Sequence, residues 1–233
     1  MLYLRKSEDR GYAEFGGWLK SRHTFSFSEY YDPQFMGFRD LRVINQDWIA
    51  KDSGFPLHPH RDMEIITYVL SGTVEHRDSL GNVGQITAGE IQTMHAGTGI
   101  RHSEYNPSKT DDLRLFQIWI VPDTVGAKPG YTQQSFTREQ KLNQFKLLVS
   151  KDGRDESQKI HQDVDLYASV FEAGTEREFI FRPGRGGWLQ LAEGEVEVNG
   201  KLLKSGDALA IQEEGAVKIK ALQETEFLLF DLH

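Results

Sequence analysis

No cysteine occurs anywhere in the 233 residues. Disulfides, thiolate metal sites, cysteine-held iron–sulfur clusters and thiol nucleophiles are excluded with it. Long apolar runs are missing as well: nothing approaches the ~18 residues that a membrane-spanning helix requires. The opening Met1-Leu2-Tyr3-Leu4-Arg5-Lys6 lacks the apolar core of a secretion signal. The expectation is a cytoplasmic protein with no membrane partner. Basic stripes are also absent. Lys and Arg number 27 against 35 Asp and Glu, a net charge of −8, so direct, phosphate-driven contact with nucleic acid is not expected. Helical periodicity is scarce too, and the only stretch that reads as a helix is a short one near Thr137 to Phe145.

What remains is strand. Short alternating segments rich in Val, Ile, Phe, Tyr and Trp are punctuated by 22 glycines. They include Leu41 to Ile49, Ile65 to Leu70, Thr73 to Arg77, Ile91 to His95 and Leu113 to Val121. Many short strands at close spacing indicate an all-β sandwich or barrel. Part of the pattern occurs twice. Tyr68-Val69-Leu70-Ser71-Gly72-Thr73-Val74-Glu75 is echoed from Leu189 to Val198 around Gly194. Thr87-Ala88-Gly89-Glu90 returns as Lys204-Ser205-Gly206-Asp207, and Leu113 to Ile118 as Glu226 to Asp231. Three echoes in the same order predict two tandem β-barrel domains, residues 1–128 and 129–233, with the link between Pro122 and Tyr131.

The chemistry lies in the first copy. His58-Pro59-His60 and His102-Ser103-Glu104 each have the i, i+2 spacing that puts two side chains on one face of a strand. On facing strands, the couplets aim three imidazoles and a carboxylate at one spot. That donor set suits iron, nickel, copper or zinc and does not suit magnesium or calcium. Pro59 lacks an N–H and fits an edge or bulged position. Gly54 is read as allowing the tight turn that starts this strand, and Gly97-Thr98-Gly99 as bringing a loop close to the site. Glu104 is read as an anionic ligand able to take a proton from a substrate hydroxyl. Glu64 shares the parity of His60; it is a fifth ligand, an acceptor behind a ligating imidazole, or a lumen acid, and the second is favoured. His95 is a candidate for the pocket wall. His23, His76, His161 and His233 stand alone and read as structural or exposed. Phe25, Phe27, Tyr30, Tyr31, Phe35 and Phe38 read as barrel packing, some of them as walls for a flat ligand. The second copy carries neither couplet, so no metal is expected there.

These segments resemble a known family. His58 to Glu64 with Gly72 is similar to the first cupin motif, and Gly89 to Asn106 to the second. His23-Thr24-Phe25-Ser26-Phe27, Met36-Gly37-Phe38, Leu41 to Asn45 and Ala96 to Glu104 together resemble the pirin family, densely from about Leu4 to Val121 and more weakly beyond. The resemblance implies an all-β bicupin of two jelly-roll domains, with metal in the N-terminal one, typically iron. It implies His58, His60, His102 and Glu104 as ligands, with the carboxylate taken from the second motif and not from the Glu64 position. One departure from the broad cupin pattern is the four-residue gap between Gly97 and His102. Some pirins resemble quercetinases, which implies a metal-dependent dioxygenase acting on quercetin or a similar flavonol with O₂. Fe(II) is the implied metal, with Ni, Cu, Mn or Zn as alternatives. Other relatives look like iron-dependent regulators, which implies a redox-sensing protein acting through protein partners. Fused cupin copies imply a monomer.

Overall fold

The computed structural model describes residues 1–233. The alternating segments form strands at Leu41–Ile49, Glu64–Ser71, Thr73–Asp78, Glu90–His95 and Leu113–Ile120, close to the bounds the pattern implies. The helix shrinks to the single turn Arg138–Lys141. Thr137 caps it by accepting the Gln140 N–H while the Gln140 side chain accepts the Thr137 N–H, a reciprocal capping box.

The chain divides into two compact units. One holds Gly11–Phe136 with Ile160–Gln162; the other holds Met1–Arg10, Thr137–Lys159 and Asp163–His233. The division departs from a simple split after residue 128, and hydrogen-bonded pairing explains the main departures. Leu2–Arg5 pairs with Ala208–Ile211 and so belongs with the C-terminal sequence. Gly130–Ser135 pairs with Glu90–His95 and so belongs with the N-terminal one.

Each unit has a seven-stranded and a four-stranded sheet, the two-sheet form of a jelly roll. In the first unit the large sheet runs Gly130–Ser135, Glu90–His95, Glu64–Ser71, Leu113–Ile120, Leu41–Ile49, Leu19–His23, Gly11–Phe15. The small one runs Ser53–His60, Ile100–Asn106, Thr73–Asp78, Val83–Thr87. The second unit repeats this order, with Thr225–Leu232 central in its large sheet where the first has Leu113–Ile120. The echoed turns are equivalent: Gly72 (φ 85°) and Gly194 (φ 91°) both sit in the left-handed region that glycine adopts without penalty.

The interiors differ in kind. In the second unit Phe171, Leu189, Leu191, Phe227 and Leu229 of the large sheet pack on Phe179, Val196, Val217 and Ile219 of the small one, all buried. Phe179, Val217 and Ile219 lie on Glu176–Ile180 and Ala216–Ala221, the strands that hold the places of Ser53–His60 and Ile100–Asn106. Hydrocarbon occupies the second interior where the first carries its histidines. In the first unit two separate apolar clusters flank that interior, one with Val69 and Leu115, the other with Ile65 and Trp119. Thr67 and Gln117 lie between them on the same strand faces, so a polar band crosses the core.

Candidate metal centre

Ser53–His60 is the edge strand of the small sheet and pairs only with Ile100–Asn106. Pro59 therefore forfeits no ladder bond, as its missing N–H demands. His58 lies opposite His102, and the register then slips, so that Glu104 lies opposite Phe55. This bulge re-aims the second couplet relative to the first. Gly54 does not form the turn that was expected of it; the left-handed residue there is Asp52 (φ 56°). Gly54 instead permits a close approach, because a Cβ at that position would lie 2.2 Å from the Glu104 carbonyl oxygen.

The three histidines converge. Ring centroids are 4.8 Å apart for His58 and His60, 4.5 Å for His58 and His102, and 4.9 Å for His60 and His102. One ring nitrogen of each lies within 4.8 Å of the others. The Glu104 carboxylate is not within that distance of all three, although it lines the same cavity as His58 and His60. It accepts hydrogen bonds from Thr67 Oγ1 (3.0 Å), Gln92 Nε2 (3.0 Å) and Gln117 Nε2 (2.7 Å). Burial pushes its pKa up. His102 and His76 beside it, with the bonds from Gln117 and Thr67, outweigh burial and hold it below the usual carboxylate range.

Hydrogen bonds behind the imidazoles determine which nitrogen is bare. His58 Nδ1 is 2.7 Å from the Pro56 carbonyl, which can only accept, so Nδ1 carries a proton and, in the neutral ring, Nε2 keeps its lone pair. A longer chain stands behind His102. Burial acts to raise the Asp78 pKa, but hydrogen bonds from Asn82, His76 and the Leu80 N–H prevail, and the carboxylate is held ionised. In a neutral His76 ring, Nε2, 3.1 Å from Asp78 Oδ2, is then the donor. His76 Nδ1 is left to accept from His102 Nδ1, 3.4 Å away. That leaves His102 Nε2 unprotonated, and it is buried with no hydrogen-bond partner. Burial first, then the neighbouring His102 and His58, pushes His60 down to about 4. Burial does the same to His102, to about 4, against the opposing pull of Glu104. Imidazoles that can each turn a bare nitrogen to one point, beside an ionised carboxylate, fit a divalent first-row metal.

The other candidates fall elsewhere. Glu64 starts the Glu64–Ser71 strand with a parity opposite to Thr67, which reaches Glu104. Its carboxylate therefore emerges on the other face of the sheet, where its partners are His95 and His161. None of the three couplet histidines bonds to it, and His95 points away from the cavity with it. His76, read from sequence as isolated, is fully buried behind His102. Thr67, Gln92 and Gln117 also escaped the sequence reading. Their only signal was a polar residue interrupting an apolar face, visible at Thr67 and Gln117.

A cavity of about 270 Å³ opens beside the histidines, walled by Phe27, Phe55, Pro56 and Trp119. Of the N-terminal aromatics, Phe27 is a wall, Phe25 is core and Tyr31 is exposed. Asn45 and Asp47 add polar groups, and a second cavity of about 240 Å³ shares Phe27, Asn45, Asp47 and Phe55 with the first.

Comparison with known proteins fits this geometry. The family model described as Pirin matches residues 4–120, and that of the quercetinase C-terminal cupin domain matches residues 147–232. The chain belongs to the pirin family. This pirin is 52% identical over 232 residues to quercetin 2,3-dioxygenase of Escherichia coli strain K12, covering 100% of this chain and 99% of the relative. It is 43% identical over 216 residues to a pirin-like protein of Caulobacter vibrioides, covering 92% and 93%. The crystal structure of the bacterial pirin YhhW from Escherichia coli in complex with nickel(II) matches with a TM-score of 0.95 at 51% identity, over 100% of this chain and 99% of that one. Quercetin 2,3-dioxygenase from Acinetobacter baumannii, at 18% identity and a TM-score of 0.81 over 99% and 85%, shares the fold. Both units of this pirin are thus cupin domains, and the first carries a metal-binding site.

Proposed function

We propose that this pirin is a metal-dependent dioxygenase that opens the heterocycle of quercetin or a similar flavonol with O₂, with Fe(II) as the resident metal. His58, His60, His102 and Glu104 would hold the metal, and Glu104 would also accept the proton of the flavonol 3-hydroxyl. The observation that carries this reading is the convergence of three imidazoles, two of which line an aromatic-walled chamber together with a buried, ionised carboxylate. The donor set also accommodates Ni, Cu, Mn and Zn. When bound, the metal supplies a Lewis acid that stabilises the deprotonated 3-oxygen.

The chain's own residues do the rest. Thr67, Gln92 and Gln117 fix the Glu104 carboxylate in place, and it stays ionised, ready to take a proton. Phe27, Phe55 and Trp119 offer apolar surface to a flat ring system and exclude water from it. Asn45 and Trp119 line the chamber, and Asn45 Oδ1 and Trp119 Nε1 are buried without a protein partner. A small side-chain rotation would let the first accept from a polyphenol hydroxyl and the second donate to a phenolic or carbonyl oxygen. The adjoining cavity gives a second ring room. In the overall reaction both O₂ atoms enter the cleaved ester acid and carbon 3 leaves as carbon monoxide, so no external reductant is consumed.

Labelling tests the reading. With ¹⁸O₂ and quercetin, the iron-loaded protein is expected to release carbon monoxide stoichiometrically and to place both labels in the organic acid. Flavonol loss without carbon monoxide would refute ring opening of this type. We place the protein in the cytoplasm as a monomer, for which light scattering should give a mass near 26.6 kDa.

A further inference from the structure

Outside the chamber, the first unit holds another convergence of donor groups. Glu64 and His95 are directly opposed across two strands of the large sheet, and both side chains emerge on the face away from the chamber. Gly130, opposite His95 on the neighbouring strand, leaves room for the imidazole; a Cβ there would lie 3.2 Å from His95 Cδ2. The third member comes from Ile160–Gln162, the short segment that joins this unit from far along the chain. Two hydrogen bonds pin that segment, from the Asp123 N–H to the His161 carbonyl (2.7 Å) and from Gln162 Nε2 to the Val121 carbonyl (2.9 Å). His161 is thereby held with Nδ1 at 3.1 Å from Glu64 Oε1, while His95 Nδ1 meets Glu64 Oε2.

Each imidazole thus takes a different oxygen of one carboxylate. The two rings stand at 72° with centroids 4.7 Å apart, and the three donor atoms lie within 4.8 Å of one another. The Glu64 side chain is 3% exposed, and its ion-pair partners are these two imidazoles, with no lysine or arginine. A buried carboxylate needs a compensating positive charge. A proton on one imidazole answers one oxygen; a divalent cation between the three donors answers the whole group. Two imidazoles and one carboxylate are the donors of zinc and its first-row neighbours, with bond lengths of ~2.0–2.2 Å that small side-chain rotations can reach. His161, 37% exposed, leaves an entry from solvent and an open coordination position.

We propose that Glu64, His95 and His161 form a second divalent transition-metal site, separate from the three-histidine centre and independent of the flavonol reaction. Metal bound there ties the Ile160–Gln162 segment to the sheet that carries Thr67.

The test is the zinc content of the full-length protein after equilibrium dialysis, read beside the melting temperature. Wild type is expected to hold two equivalents of Zn(II), and His161→Ala one. His161 is partly exposed, so this variant should fold, as circular dichroism would verify. A His58→Ala/His60→Ala double variant is expected to keep one equivalent and a zinc-dependent rise in melting temperature, both lost when His161→Ala is added. One equivalent in wild type, or unchanged binding on adding His161→Ala, would show a hydrogen-bonded His–Glu–His cluster and overturn the proposal. Turnover of a flavonol reports on the three-histidine centre alone, so the two readings fail separately.

Discussion

At the scale of single residues, the quality of the metal centre depends on atoms that never reach the metal. Asp78 is the origin of the chain: its charge fixes the proton of His76, and His76 in turn fixes that of His102. His76→Phe removes the acceptor and frees His102 to adopt the other tautomer. Metal affinity is expected to fall ~10–100-fold, the range typical for groups behind a ligand, with the fold intact; an unchanged Kd by competitive chelator titration would refute the chain. The metal-free protein makes a second residue-scale prediction. His60 and His102 titrate at about 4 in the folded state, against 6.5 for an unperturbed imidazole. Above pH 6.5 both states are neutral at these positions and the two residues contribute nothing. Between 6.5 and about 4 only the unfolded chain takes up these protons, so stability is expected to fall as pH falls through this window. Denaturant midpoints of the metal-free protein measure it, and the His60→Ala variant should show a shallower fall. A wild-type midpoint that is flat or rises from pH 7 to 5 would contradict the assignment.

At the scale of elements, the site is made by one edge strand and one bulge. Gly54 lets the Ser53–His60 strand lie against the Glu104 backbone. Gly54→Ala would drive a Cβ into the Glu104 carbonyl and force the strands apart. A loss of roughly 1–3 kcal/mol, the usual cost of overpacking, is expected, together with weaker metal binding; a stability equal to wild type would show that the close approach is dispensable. The two ligand couplets were legible in the sequence because i, i+2 parity is a local property of a strand, and Pro59 announced its edge position by its missing N–H. Gly54 was misread because a turn glycine and a close-approach glycine look alike until the partner strand is known. Glu64 was misread for a related reason. Counting parity from His60 assumes an unbroken strand, yet the chain leaves one sheet at His60 and enters the other at Glu64. Nothing local could join His161 to Glu64, 97 residues away.

At the scale of the molecule, one topology serves two ends. The order of strands repeats, while the small-sheet strands that bear His58, His60, His102 and Glu104 in the first unit bear Phe179, Val217 and Ile219 in the second. The repeat was visible in sequence as glycine turns, whereas the assignment of Met1–Arg10 to the second unit was not, since strand pairing over that separation leaves no local mark. Removing residues 1–6 would strip Leu2–Arg5 from Ala208–Ile211 and expose an apolar edge. The melting temperature is expected to drop by several degrees, about what a loss of 1–2 kcal/mol produces; no change would mean the strand is an ornament.

The central claim is that the three-histidine centre with Glu104 performs flavonol oxygenation. Its most direct test is O₂ uptake by iron-loaded protein given quercetin, with the loss of flavonol absorbance followed in parallel. Wild type should consume the two in equal amounts. His60→Ala should lose metal and turnover together, and Glu104→Gln should lose turnover by ~10²-fold or more, in line with removal of a general base. Wild-type protein that holds its iron tightly yet consumes neither O₂ nor flavonol would contradict the account and leave a redox-sensing role through protein partners in its place.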